Sequence, residues 1–179
     1  MAIQLTDDDA RQSLTAHVES KGVDVLIRYG LISGPEGLEP LLADRTQVRY
    51  PCRVVFDHTP LQAGEFAHAE PQGALPEDGF TIYVHPAFLT DPARVPALVL
   101  YQLVAVNYGE FASAHDAETF GAAALGLTRD EYYALLCESA DRVSPPGFEP
   151  AEAPVIARTG CGGGGEGCTC GSGKHDEAH

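Results

Sequence analysis

The chain has 179 residues, enough for one compact domain, and sets 11 Lys and Arg against 26 Asp and Glu for a formal charge of −15. Nine of the eleven cations are arginine and none cluster, so there is no basic stripe for a phosphate backbone or an anionic bilayer; neither nucleic acid nor membrane is expected as a partner. An apolar fraction of 44% suits a packed core, and the acidic start Met1 to Asp9 lacks the basic-then-apolar pattern of a secretion signal, which points to the cytoplasm.

In chain order, Thr6 followed by three aspartates predicts a helix start, with anions at the positive end of the helix dipole. The helix is expected to run to about Glu19 and stop near Gly22. Val23 to Ile32 is apolar and reads equally as helix or strand, and Gly37 to Ala43 reads as a short helix. The pattern then turns to β over Cys52 to Asp57, Glu65 to Ala69 and Phe80 to His85, divided by Pro and Gly turns. Three helices complete the domain: Val95 to Tyr108, a second from the Ser113 cap to Gly126, and a third from the capping box Thr128-x-x-Glu131 to a stop before Pro145. The helix from Val95 is apolar on every side apart from Gln102, Asn107 and two tyrosine hydroxyls, so it belongs at the centre of the fold. Gly121 with Ala122, Ala123 and Ala124 forms a small-residue face that lets another helix approach closely. The predicted class is α+β: a small sheet of about three strands with a buried central helix and further packing helices.

This globular domain covers residues 1–143. Residues 144–159 are a Pro-rich linker, with four prolines between Ser144 and Pro154, expected to stay extended and outside any helix or sheet. Residues 160–179 form the tail, where eight of the fourteen residues from Gly160 to Gly173 are glycine; such a composition predicts disorder.

Cys52 and Cys137 stand alone in apolar surroundings and read as small buried hydrophobes, protected from reagents until the domain unfolds. His58, His68 and His85 lack metal-ligand spacing and read as ordinary histidines, two of which could still converge in space. Asp116, in the first turn of its helix, reads as a capping residue. The tail differs: Cys161, Cys168 and Cys170 with His175 and His179 put three thiols and two imidazoles into nineteen residues. Cys161, Cys168, Cys170 and His175 would satisfy tetrahedral zinc as Cys₃His; Cu(I) would be satisfied by Cys168 and Cys170 alone, and an iron–sulfur cluster by the three thiols and one further ligand.

Two resemblances bear on this pattern. The order of strands, buried helix and acidic following helix over residues 50 to 126 resembles the minimal core of zincin metallopeptidases, whose central helix carries H-E-x-x-H. Tyr101 stands for the first His, Gln102 for the Glu and Ala105 for the second His, so the resemblance implies a zincin-like fold without its catalytic metal. It further implies a vestigial site of Tyr101, Gln102, His115 and Glu118, and the Phe80 to His85 strand antiparallel at a sheet edge. The segment Gly-Cys168-Thr-Cys170-Gly-Ser is similar to the C-x-C-G end of A-type iron–sulfur carriers. Together these readings assign no catalytic residue. They favour a non-enzymatic protein that captures or delivers a metal, zinc first, to a protein partner. The alternatives are a metal-dependent hydrolase with a non-standard site on the domain, and a precursor whose Gly/Cys-rich tail a partner enzyme modifies.

Overall fold

A computed structural model describes residues 6–145; the rest of the linker and the whole tail, with Cys161, Cys168, Cys170 and His175, lie outside the described residues. Among the described residues the fold is α+β. The elements are α1 (Asp7–Tyr29), α2 (Glu39–Ala43), β1 (Cys52–Phe56), β2 (Ala67–Pro71), β3 (Phe80–Val84), α3 (Val95–Tyr108), α4 (Ala114–Leu125) and α5 (Arg129–Val143). No helix among them is long and apolar enough to cross a membrane.

Three of the helices begin at the capping boxes that the sequence marks. Thr6 and Asp9 exchange bonds at the start of α1, Ser113 and Asp116 at α4, and Thr128 and Glu131 at α5. Gly126, at φ 66, closes α4 in the left-handed conformation that glycine adopts most readily.

Gly22 does not stop α1. The helix continues to Tyr29, so most of the ambiguous apolar stretch from Val23 is helical. The glycine is needed for contact instead: a Cβ at Gly22 would lie 2.5 Å from the Phe120 carbonyl oxygen and 2.7 Å from the Ala123 Cβ. The small-residue face of α4 is thus where α1 crosses it. On the same helix Gly121 makes room for the Tyr132 ring, whose hydroxyl donates to the Ala97 carbonyl at 2.6 Å.

The sheet order is β1-β3-β2, with β1 parallel and β2 antiparallel to β3. The expectation of Phe80 to His85 as an edge strand is therefore corrected: β3 is central, and its Ile82, Val84 and Thr81 are buried. The antiparallel edge belongs to β2. Helix α3 packs on one face of this sheet, and ten of its fourteen residues are buried. Its two side-chain amides fasten the surroundings. Gln102 Nε2 donates to the Ala67 carbonyl of β2 at 2.8 Å. Asn107 Nδ2 donates to the Gln47 carbonyl and its Oδ1 accepts from Arg49 N–H, both at 2.8 Å, holding the segment that leads into β1.

Cys137 is exposed, not buried. The inward positions of α5 are Tyr132, Leu136 and Ser139, and a residue one step past Leu136 turns outward. Cys52 is partly buried on β1, and that burial pushes its thiol up to about 11.

Replacing Gly22 by Ala tests the α1–α4 crossing. Alanine gains about 0.5–1 kcal/mol of helix propensity, but overpacking a close contact costs about 1–3 kcal/mol. Chemical denaturation of Gly22→Ala is expected to show a net loss of about 1–2 kcal/mol. A stabilised variant would show that the two helices do not pack this closely.

Candidate functional site

Of the four positions singled out on the domain, His115 and Glu118 are brought together through Arg129, while Tyr101 packs on Phe66 and Gln102 bonds β2. Tyr101 projects from the middle of α3 and packs its ring edge-on against Phe66, with centroids 5.9 Å apart. Burial first, and then the negative charge of Glu118, pushes its phenol up to about 12. Glu118 lies one turn into α4. Gln102 joins neither, because its amide is committed to the β2 backbone.

Glu118 is a partly buried acid on α4. Its side chain is 16% exposed, and desolvation raises its carboxyl above the ordinary value while Arg129 and His115 work against that rise. Arg129, in the first turn of α5, sets Nη1 3.9 Å from Glu118 Oε2. The same nitrogen reaches Nδ1 of exposed His115. The guanidinium therefore lies against both side chains that α4 offers as ligands.

Asp116 is a capping residue, as its position predicts. Its Oδ2 accepts from Ser113 N–H and Oγ, and its Oδ1 from Thr15 Oγ1 at 2.7 Å, which ties α4 to α1. Burial alone would raise this carboxyl, but the Ser113 and Thr15 bonds outweigh it and hold the group below the ordinary value.

Two of the three strand histidines converge. His58, just past β1, and His85, just past β3, bring their rings to 5.9 Å because the two parallel strands end side by side. Burial and then the neighbouring His58 push His85 down, and its Nδ1 accepts from Ala87 N–H at 3.1 Å. His68 stays apart, 3.3 Å from Glu65, whose hydrogen bond pushes it up. The sequence signal for the pair is one histidine at each parallel strand's carboxyl end, legible only once strand order is known. Among the described residues no group of three or more His, Cys, Asp or Glu is arranged to hold a metal ion.

No family model, curated protein or solved structure matches the chain.

The raised Glu118 carboxyl carries a stability consequence. The folded state binds this proton more tightly than the unfolded chain. The favourable contribution is therefore complete below the ordinary Glu value of about 4.3 and is lost as pH rises through the raised folded value. Glu118→Gln cannot ionise and escapes that loss. Urea denaturation should find the variant more stable than wild type at pH 7 and indistinguishable from it near pH 4. Equal stability at both pH values would mean that Arg129 fully compensates the buried charge.

Proposed function

We propose that this chain is a non-enzymatic metal-handling accessory protein whose Cys161, Cys168, Cys170 and His175 capture a metal ion and deliver it to a protein partner. Zinc is the first candidate, with Cu(I) or an iron–sulfur cluster as the softer alternatives. The observation that carries the reading is the concentration of three thiols and two imidazoles in nineteen residues. The chemistry of the folded domain is consistent with it. Of its two cysteines, Cys52 has its thiol pushed away from the thiolate form that metals need. At the vestigial site, Gln102 serves the sheet and the Arg129 cation occupies the space between His115 and Glu118.

The hydrolase alternative is favoured by one observation, the desolvated Glu118 carboxyl beside a histidine. A positive guanidinium against both groups disfavours a second cation there, so the tail reading is preferred.

Zinc titration of the reduced full-length chain discriminates the two. Wild type is expected to bind one equivalent tightly, and the triple variant Cys161→Ser, Cys168→Ser, Cys170→Ser to lose that site, while Glu118→Gln retains it. Full binding by the triple variant would move the metal to the folded domain and overturn the proposal. Alkylation offers a second reading on the same chain: in metal-free protein Cys137 and the three tail thiols should label quickly, and Cys52 slowly.

A further inference from the structure

The two edges of the sheet are finished differently. On β2, His85 N–H donates to the Phe66 carbonyl and Gln72 N–H to the Gly79 carbonyl, both at 2.9 Å. The antiparallel register therefore turns the odd-numbered residues of β2 outward. Of these, Ala67 has its carbonyl taken by Gln102 Nε2 at 2.8 Å, and Pro71 has no N–H to offer. That edge is blunted. On β1, Phe80 N–H donates to the Pro51 carbonyl at 2.7 Å and Asp57 N–H to the Val84 carbonyl at 3.2 Å. The parallel register therefore turns the odd-numbered residues of β1 toward β3. Cys52, Val54 and Phe56 present their N–H and C=O groups outward, where no described residue bonds them. That edge is open.

The surroundings of the open edge are mixed in character. A groove of about 500 Å³ runs beside it, walled by Leu42, Val54 and Phe56 together with Glu39, Arg45 and Arg53. Both arginines are held by neutral acceptors. Arg45 gives Nη1 to the Val48 carbonyl at 3.3 Å, and Arg53 gives Nε to Thr81 Oγ1 at 3.1 Å. Arg28, Arg94, Arg129 and Arg142 each reach a carboxylate, but among the described residues neither groove arginine does. In a chain that sets 26 carboxylates against 11 cations, two arginines left without one in the same groove mark a local surplus of positive charge.

We propose that the β1 edge docks an extended segment of a partner protein by strand addition, the segment alternating apolar residues on the face of Val54 and Phe56 with acidic residues on the face of Arg53. The outward backbone groups supply the hydrogen bonds, and the alternate side chains supply the selectivity. Arg45, at the groove wall, adds to the field that draws the acidic residues in. A second copy is the poorer occupant. Across a two-fold axis β1 would meet β1 and bring the same arginines together, on chains that each carry −15. Charged side chains on an edge strand also serve to repel stray strands, and the experiment separates that role from docking. The docking stands whether or not the tail binds metal.

NMR titration of the metal-free full-length chain with an end-capped octapeptide alternating valine and glutamate tests this. The amides of Cys52, Val54 and Phe56 are expected to shift and to gain protection from exchange, while those of β2 stay in place. The lysine analogue of the peptide should bind about tenfold more weakly or worse, and the double variant Arg45→Gln, Arg53→Gln should weaken the glutamate peptide about fivefold or more. Methylating the backbone nitrogens of one alternate set of peptide residues should abolish binding and methylating the other set should not, since a strand bonds its neighbour through every second residue. Failure of the glutamate peptide to bind would leave the arginines as guards of the edge and overturn the proposal. Equal effects of the two methylations, or tighter binding of the lysine analogue, would overturn it too. Self-association with the same amides protected before any peptide is added would give the edge to a second copy instead.

Discussion

Helix α3 is largely buried, and a polar side chain on such a helix is costly unless it finds a hydrogen-bond partner. Its hydrophobic residues are interchangeable in kind, but Gln102 and Asn107 are not. Each gives its amide to a backbone group of a different neighbour, Gln102 to β2 and Asn107 to the segment entering β1. A third fastening comes from outside, where the fully buried Tyr132 of α5 donates to the Ala97 carbonyl. An unsatisfied polar group in such surroundings costs about 1–3 kcal/mol. These contacts therefore select one arrangement of sheet, entry segment and α5 around the helix, where apolar packing alone would accept several.

The same constraint governs the surroundings of Gln102. A glutamine at the position where the zincin resemblance implies a catalytic glutamate is a group whose carbonyl and amide are both needed structurally or left idle. Here the amide is used to hold an edge strand. Tyr101, its neighbour, is buried against Phe66, and its phenol stays protonated under the combined effect of burial and the Glu118 charge. Arg129 then holds positive charge against His115 and Glu118. On the proposed reading, the folded domain supplies a stable body and surfaces for a partner, and the reactive ligands lie in the C-terminal segment.

Much of the fold was legible in the chain because the signals were local. Capping boxes at Thr6, Ser113 and Thr128 mark helix starts through bonds between residues three apart, and the all-round apolar character of Val95 to Tyr108 marks the buried centre. The errors arose where a residue's role depends on a distant partner. Gly22 reads as a helix stop until α4 is seen crossing it. Phe80 to His85 reads as an edge strand because strand order is a non-local property, and the meeting of His58 with His85 depends on the same order. Cys137 reads as buried from its apolar neighbours in sequence, yet one step of helical rotation past Leu136 carries it outward. The place of Arg129 against His115 and Glu118 depends on the start of α5 lying beside α4, which is likewise a non-local property.

The claim at the centre of the functional reading is that thiolate sulfur, and not the imidazoles or carboxylates of the folded domain, holds the metal. X-ray absorption at the metal edge of the full-length protein loaded with one equivalent of zinc tests it most directly. The reading predicts a sulfur shell at about 2.3 Å of three scatterers with one lighter ligand. A spectrum fitted by nitrogen and oxygen alone at about 2.0–2.1 Å would contradict it and return the site to the folded domain.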